Sequence, residues 1–337
     1  MLKVDIYNHF MPEVYWKKMM EIAPQYENLG KRVRNIRMLT DLDFRFEVMD
    51  RHDEYFQVLT VYAPPPEALA GPDRSPELAI AANDGLAELC AKYPDRFVGF
   101  GATMPMNNID AALDEIDRAV DDLGALGAEI YTNVAGRPLD DPEFEPFFAR
   151  MHERDLPIWV HPVRGDEMAD YASEEKSRYE LWWAFGWPYE TSAFMARMVL
   201  SGLMERYPGL KMITHHMGGM VPFFEGRVGP GLDQLGKRTS DEDYSGVLAG
   251  LSKPHLEYFK DFYADTAVFG AVGATKCGLE FFGADHVVFA SDAPFDPVPG
   301  QYIAETIKII DELDITDEDR AKIYYKNAER LTGRSFS

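Results

Sequence analysis

Short apolar segments alternate with longer amphipathic segments along most of the chain. The short segments are nearly continuous hydrophobic runs, which is typical of parallel strands that are buried on both faces. They are "KVDIYNH" (3–9), "YFQVLTVYA" (55–63), "FVGFGATMP" (97–105), "AEIYTN" (128–133), "PIWVHP" (157–162), "KMITHH" (211–216), "FYADTA" (262–267) and "HVVFASD" (286–292). The pattern therefore predicts about eight strands.

The longer segments carry apolar residues three and four positions apart, which predicts amphipathic helices. Ser75 and Pro76 mark the start of one helix, and Asn108 is placed to cap the next. The predicted helices span residues 75–93, 108–127, 141–155, 191–208, 301–313 and 316–333.

Repeated strand–helix units in a chain of 337 residues predict an α/β fold, a (β/α)₈ TIM barrel formed as one domain over residues 1–337. A doubly wound open sheet is the alternative. It is disfavoured because no glycine-rich phosphate loop follows any predicted strand.

Two connections, after the first and fifth strands, are predicted as long loops. They span residues 10–54 and 163–190, and the second is rich in tryptophan and tyrosine. Long excursions from a compact domain are usually functional or packed as lids. The second connection therefore suits either a cover over a pocket or a contact between subunits.

Polar residues lie at the carboxyl ends of the predicted strands, which is where barrel enzymes carry their catalytic and metal-binding groups. His9 ends the first predicted strand, His161 the fifth, and Asp292 the eighth, while His215 and His216 end the sixth. A single histidine in such a place is usually structural, but several that converge with an aspartate indicate a metal site. Neutral imidazole and carboxylate suit Zn²⁺, and also Mn²⁺ or Fe²⁺.

The net charge of the chain and its cysteines indicate which partners the protein binds and in which cell compartment it works. A net charge of −23 gives an acidic surface that repels phosphates, so nucleic-acid binding is disfavoured. No apolar run approaches the roughly 20 residues of a membrane span, and the first residues lack the pattern of a signal peptide. Cys90 and Cys277 lie outside any CxxC motif, which predicts reduced thiols and a cytoplasmic protein.

Seven motifs, in order along the chain, resemble those of the amidohydrolase superfamily. The resemblance is to the branch that contains α-amino-β-carboxymuconate-ε-semialdehyde, γ-resorcylate and 5-carboxyvanillate decarboxylases. The motifs are "VDIYNHFMP" (4–12), "RFEVMD" (45–50), "YPDRFVGFGATMPM" (93–106), "WVHP" (159–162), "SGLMERYPGLKMITHHMGGMVPFFEGR" (201–227), "VVFASDAPF" (287–295) and "NAERL" (327–331). The resemblance covers almost the whole chain and implies the barrel fold.

The resemblance also implies roles for the strand-end residues. His9, His161 and Asp292 fall on positions that bind one divalent metal, with Zn²⁺ preferred and Mn²⁺ possible. His216 falls on the position of the catalytic histidine, because Pro222 follows it at the family spacing. Asp292 would act with His216 in proton transfer.

The resemblance further implies how a small-molecule carboxylate substrate is held. Arg227 matches an arginine that reaches the substrate of the neighbouring subunit, which implies a homodimer or a higher homo-oligomer. A second substrate arginine lies among Arg32, Arg34 and Arg37, with Arg34 taken as the candidate. The fourth predicted strand lacks the lysine that bridges the two metal ions in two-metal amidohydrolases, which favours a single metal ion. Asn133 on the same strand could face the substrate.

The chain departs from the family pattern at two places. Tyr7 stands where the branch has histidine or glutamate. It could bind the metal as a phenolate, hydrogen-bond the substrate or a water as a neutral phenol, or pack beneath a lid. His215 is an extra histidine, and the alternation of side chains along a strand predicts that it turns away from His216. Met217 replaces a glycine.

The resemblance favours non-oxidative decarboxylation of an aromatic or unsaturated carboxylic acid. The alternative is metal-dependent hydrolysis or hydration, in which the same residues would activate a water. A third hypothesis is a barrel whose metal site has decayed and which serves only in binding. Tyr7 argues for that hypothesis, and the retention of His9, His161, His216 and Asp292 argues against it.

Overall fold

Eight parallel strands form one sheet in which each strand pairs with the next along the chain. The computed structural model describes residues 1–25, 35–62, 64–238 and 242–336. The strands are β1 (Lys3–Phe10), β2 (Tyr55–Val61), β3 (Phe97–Thr103), β4 (Gly127–Tyr131), β5 (Ile158–His161), β6 (Met212–Thr214), β7 (Tyr263–Asp265) and β8 (Val287–Val288). Each observed strand falls on a predicted one.

The sheet closes because β1 also bonds to the chain that follows β8. The backbone N–H of Ile6 donates to Phe289 O at 3.0 Å, and that of His9 donates to Ala293 O at 2.9 Å. The predicted (β/α)₈ barrel is therefore confirmed. Its carboxyl ends, which carry the polar residues noted above, lie together at one face of the barrel.

The barrel interior is filled by large apolar side chains, as the continuous hydrophobic runs require. Val4, Ile6, Trp159 and Val288 belong to one buried cluster. The indole N–H of Trp159 finds a partner there, because Nε1 donates to Ile6 O at 2.8 Å. This contact joins β5 to β1 across the interior.

The helices surround the sheet, with short 3₁₀ turns and one small hairpin between them. The α-helices are Glu13–Ile22, Leu42–Met49, Pro66–Leu69, Ser75–Lys92, Ile109–Asp121, Glu145–Glu153, Leu181–Ala184, Gly186–Leu200, Leu203–Arg206, Glu225–Val228, Ser245–Ala249, His255–Lys260, Val272–Phe282, Gln301–Glu312, Asp317–Ala321 and Asn327–Thr332. A π-helical turn spans Lys322–Lys326, 3₁₀ turns span Arg37–Leu39, Pro142–Phe144, Leu232–Gln234 and Ala284–His286, and Asn133–Val134 pairs with Arg137–Pro138.

The start of the helix Ile109–Asp121 follows ordinary capping chemistry. Asn108 Oδ1 accepts from the backbone N–H of Ala111 at 3.1 Å, as its predicted capping role requires. The helix predicted over 191–208 is two helices instead, because Gly202 adopts a φ of 73° that ends the first of them. The helix Val272–Phe282 was not predicted, since its two glycines obscure the apolar spacing.

The two long connections differ in structure. The first contains the helices Glu13–Ile22 and Leu42–Met49. In the second, residues 163–180 contain neither helix nor strand, and the chain then enters Leu181–Ala184. None of the helices in the described parts of the chain combines the length and the apolar character of a membrane span.

Candidate metal centre and substrate cavity

Four histidine side chains meet at the carboxyl ends of three strands. His9 lies near the end of β1, His161 ends β5, and His215 and His216 follow β6. The ring centroids of His9 and His161 are 5.3 Å apart, and those of His161 and His215 are 5.2 Å apart. The sequence thus correctly identified strand ends that converge.

Three of these imidazoles are oriented in the same way, by a hydrogen bond from Nδ1 to a backbone carbonyl. His9 Nδ1 lies 3.2 Å from Val61 O, His161 Nδ1 lies 2.6 Å from Pro162 O, and His216 Nδ1 lies 2.8 Å from Ala267 O. A carbonyl oxygen can only accept, so Nδ1 carries the proton in each ring. Each Nε2 therefore keeps its lone pair, as in histidines that bind metals.

His215 is oriented by a carboxylate instead. Its Nδ1 is hydrogen-bonded to Asp265 Oδ2, and both side chains are fully buried. Asp265 is itself held in place, because its Oδ1 accepts the backbone N–H groups of His216 at 2.9 Å and Ala267 at 3.1 Å. Asp265 was not singled out from the sequence, where it is one acid among many at the end of β7.

Asp292 lies between His9 and His215. Its Oδ1 is 3.1 Å from His9 Nε2 and 3.3 Å from His215 Nε2. These separations are short, yet all three atoms are buried and none has a hydrogen-bond partner of acceptable geometry within the described structure. They lie within ion-pair distance of one another but form no well-aligned hydrogen bond.

The arrangement of these atoms fits a divalent cation. Two atoms bound at about 2.0–2.1 Å to a four-coordinate metal lie about 3.3 Å apart, which matches the separations around Asp292. Ligand atoms of His9, His161 and His215 all lie within 4.8 Å of one another, and so do those of His215, His216 and Asp292. The three predicted ligands are therefore brought together, with His215 added to them.

Burial and charge keep most of the cluster ready to bind a cation. Burial lowers the pKa of His161 well below its usual value, and it lowers the pKa of His216 to about 4. Burial alone would raise the pKa of Asp292, but His215 and His9 hold it well below the usual range. Burial opposes protonation of His215, yet the carboxylates of Asp265 and Asp292 raise its pKa to about 10. Asp292 is thus a carboxylate, and the imidazoles of His161 and His216 are neutral.

The expectation that His215 turns away from His216 was wrong. The two rings are stacked, with centroids 3.8 Å apart. Strand β6 ends at Thr214, and the next residues leave the extended conformation, since His216 has a φ of 56° and Met217 a φ of 55°. The alternation of side chains along a strand no longer applies there. The doubled "HH" was the only sequence signal for this position.

Tyr7 lies beneath the cluster and is fully buried. Its ring centroid is 4.1 Å from that of His215, and its hydroxyl has no hydrogen-bond partner among the described residues. Burial, with the nearby Glu129, raises the pKa of Tyr7 well above 10, so the side chain is a neutral phenol. It does not line the cavity described below.

A cavity of about 450 Å³ opens over His9, His161 and Asp292. Its walls are largely aromatic, and the aromatic residues are Tyr62, Trp182, Trp183, Trp187, Phe269, Phe295 and Tyr302. The ring of Trp187 lies 5.3 Å from that of His161, and its Nε1 donates to Arg164 O at 3.2 Å. The tryptophan-rich connection after β5 therefore forms part of the cavity wall, as one of its two predicted roles requires.

A second cavity, of about 650 Å³, shares Trp183, Trp187 and Phe269 with the first. His216 and Met217 line it, together with the exposed Phe223. His216 thus stands between Asp292 and this second space, whereas His9 and His161 face the first.

The predicted substrate residues lie in different places. Arg227 is exposed, with its guanidinium 5.6 Å from the Phe224 ring, and it does not line the cavity over His9. Asn133 does not line this cavity either. Its side-chain amide donates to Val163 O at 3.0 Å and accepts from Gly136 N–H at 2.8 Å. Arg34 lies outside the described residues.

One arginine that was not predicted does line the cavity. Arg164 is the only arginine or lysine among its described lining residues. Its Nη1 lies 3.1 Å from Glu190 Oε1, so its charge is already paired. Nothing in the sequence distinguishes it from the other charged residues of the connection after β5.

Comparison with known proteins shows similarity along almost the whole chain. A family profile described as "Amidohydrolase" matches residues 4–334. The gamma-resorcylate decarboxylase of Polaromonas sp. strain JS666 is 31% identical over 342 residues, which cover 98% of each chain. The 2-amino-3-carboxymuconate-6-semialdehyde decarboxylase of Dictyostelium discoideum is 29% identical, with 92% of this chain and 87% of that protein covered. The similarity to these decarboxylases therefore extends over almost the full length.

A solved structure of a decarboxylase is also similar over almost the whole chain. The 5-carboxyvanillate decarboxylase from Novosphingobium aromaticivorans, complexed with manganese and 4-hydroxy-3-methoxy-5-nitrobenzoic acid, superposes with a TM-score of 0.81 at 25% identity. The superposition covers 99% of this chain and 96% of that chain.

Proposed function

The chain belongs to the amidohydrolase family, and from that premise we propose that it catalyses the metal-dependent, non-oxidative decarboxylation of an aromatic carboxylic acid. The observation that carries this proposal is the aromatic cavity that opens onto His9, His161 and Asp292. A planar, apolar ring fits walls of this kind, and its carboxylate would point toward the cation site.

We propose that His9, His161 and Asp292 hold one divalent metal ion. When bound there, the ion would supply a positive charge that orients the substrate carboxylate and stabilises the negative charge that develops as the carbon–carbon bond breaks. Manganese in the structure of the 5-carboxyvanillate decarboxylase supports Mn²⁺, whereas imidazole-rich ligands support the Zn²⁺ predicted from the sequence.

Loss of carbon dioxide breaks a carbon–carbon bond, and the ring carbon that keeps the electron pair takes up a proton. Asp292 and His216 are placed to carry that proton, since their ligand atoms lie within 4.8 Å of each other at the junction of the two cavities. Both groups have a lowered pKa and begin as bases, so the proton that one of them passes to the ring carbon must first come from a hydroxyl group of the substrate or from water. Proton transfer by positioned groups of this kind typically contributes about 10²–10⁴-fold to a rate.

The cavity of one subunit offers an anionic substrate little free positive charge. Arg164 is paired with Glu190 at 3.1 Å, and Arg227 projects from the surface. We therefore retain the proposal that Arg227 completes the site of a neighbouring subunit in a homodimer, where it would bind the substrate carboxylate. The role of Arg34 stays a prediction, as does the cytoplasmic location.

Two of the predicted substrate residues have neighbours that suggest indirect roles. Asn133 supports the start of the connection after β5 through its bond to Val163. Tyr7 packs against His215 beneath the cation site. Both are better described as positioning residues than as residues that contact substrate.

Decarboxylation is favoured over hydrolysis or hydration because the relatives named above are decarboxylases, and their similarity to this chain extends over nearly their full length. The test is a screen of hydroxylated aromatic acids for release of carbon dioxide, with protein that has been treated with a chelator and then loaded with Mn²⁺ or Zn²⁺. We expect release that requires the metal and yields the acid minus its carboxyl group. A product that has gained water, or turnover that survives chelation, would contradict the proposal.

A further inference from the structure

The two departures from the family pattern occupy the same place in the molecule. Tyr7 stands where the resembled branch has a metal-binding histidine or glutamate, and His215 is an extra histidine on another strand. Their ring centroids are 4.1 Å apart. One side chain that could bind a cation has been lost from the end of β1, and one has been gained beside it from the end of β6.

His215 is presented as a ligand and not as a packing residue. Asp265 fixes its Nδ1, which leaves Nε2 to point inward. That Nε2 lies 3.3 Å from Asp292 Oδ1 and is fully buried without a hydrogen-bond partner among the residues that the structure describes. A carboxylate that binds one ring nitrogen while the other binds a metal is a common arrangement at zinc sites.

We propose that His215 replaces the missing donor of β1, so that this chain holds its metal with His9, His161, His215 and Asp292. The inference rests on the proposed metal dependence of the enzyme, and it adds a ligand on β6. Asp265 acts as the positioning residue of that ligand.

The local backbone makes this arrangement possible. His215 is the first residue after β6, and four consecutive residues from His216 to Gly219 have positive φ. This turn directs His216 toward Ala267 and leaves His215 to face the interior. The ring of Tyr7 lies beside the imidazole of His215, with the two centroids 4.1 Å apart.

His216 is the competing candidate, because its ligand atom also lies within 4.8 Å of those of His215 and Asp292. It differs in its surroundings, since it lines the second cavity and is less buried than His215. It therefore provides the matched control: an adjacent histidine with a similarly anchored Nδ1 that the proposal leaves out of the metal shell.

X-ray absorption spectroscopy of the zinc-loaded protein counts imidazole ligands directly and needs no enzymatic activity. We expect three imidazoles in the unaltered chain, two in His215→Gln and three in His216→Gln. Competition with a chromophoric chelator should show that His215→Gln binds Zn²⁺ at least about 100-fold more weakly, and that Asp265→Asn loses about 10–100-fold. The Tyr7→His change in the His215→Gln background should restore much of the lost affinity.

The other possible results separate the proposed role of His215 from the proposed decarboxylation. Two imidazoles in the unaltered chain, or a count that falls in His216→Gln and not in His215→Gln, would overturn the role of His215 and leave the proposed decarboxylation standing. A chain that binds no Zn²⁺ or Mn²⁺ at all would overturn both. If His215→Gln does not fold, the count in His216→Gln decides the matter, because that variant lacks the competing histidine: three imidazoles there support His215, and two overturn its role.

Discussion

Asp292 Oδ1 lies 3.1 Å from His9 Nε2, which joins the end of the last strand to the end of the first. The contact exists because the barrel closes, with β1 bonded to the chain beyond β8. Both atoms are buried and neither is paired with good geometry in the described structure. The closure of the fold therefore assembles the candidate centre.

Replacing Asp292 with asparagine should abolish most turnover. The amide keeps the shape but cannot carry the proton, and it is a weaker ligand for a cation, so we expect kcat to fall by about 10³-fold or more. Steady-state kinetics together with circular dichroism would separate a loss of chemistry from a loss of fold. Asp296→Asn is the control, since Asp296 Oδ2 accepts Gly300 N–H at 2.9 Å and an amide oxygen can do the same. Near-normal activity in Asp292→Asn would refute the assigned role.

Replacing Arg227 with alanine should raise KM about tenfold or more, because one charge-assisted hydrogen bond to the substrate is lost. The decisive measurement is complementation. Subunits that carry Arg227→Ala, mixed with subunits that carry Asp292→Asn, should form hybrid dimers in which one site has both residues intact. At substrate concentrations well below KM, the activity of the mixture should then exceed that of either variant alone.

The control for this mixing experiment is Arg197→Ala, which removes an exposed arginine that is paired with Asp140. It should leave KM unchanged and add nothing on mixing. Mixed subunits that are verified to exchange but show no gain would mean that the site is not shared.

Replacing Trp187 with leucine should weaken substrate binding. The ring forms the wall beside His161, and an aromatic pair contributes about 0.5–1.5 kcal/mol beyond its buried area, which corresponds to a rise in KM of up to about tenfold. Trp187→Phe should recover part of the loss. Trp16→Leu, on the first long connection, is the control for removing an indole. Equal effects from both leucine variants would point to general destabilisation.

Replacing Glu67 with glutamine should change the dependence of stability on pH. Burial raises the pKa of Glu67 to about 8, so the folded chain binds a proton that the unfolded chain has released. Between the usual glutamate pKa of 4.5 and the folded-state pKa of about 8, the free energy of unfolding should therefore fall as pH rises. Glu67→Gln should remove that part of the slope and raise the melting temperature above pH 8.

Calorimetry at pH 6 and pH 9, on metal-free protein, would measure this effect. The variant Glu153→Gln, at an exposed position, should behave as the unaltered chain does. If Glu67→Gln melts lower than the unaltered chain at pH 9, the carboxylate must be stabilised by contacts that outweigh its burial.

The sequence by itself determined the barrel and three residues of its centre. Apolar runs locate the strands, because a strand covered on both faces must be hydrophobic throughout. Parallel strands that close into a barrel bring their carboxyl ends to one face, so His9, His161 and Asp292 had to meet. The first and last of these are separated by almost the whole chain, yet the rule needs only the ends of strands.

Only the tertiary structure decided what His215 does. Its direction depends on where β6 ends and on the positive φ values that follow, and neither is encoded in a periodic pattern. Its partner Asp265 comes from another strand and carries no motif. The sequence also left open whether the connection after β5 covers a pocket or contacts another subunit. Its residues have no regular period, so their positions depend on how they pack against the barrel. Period and strand order determine which ends converge, whereas irregular backbone and packing determine which side chains face inward.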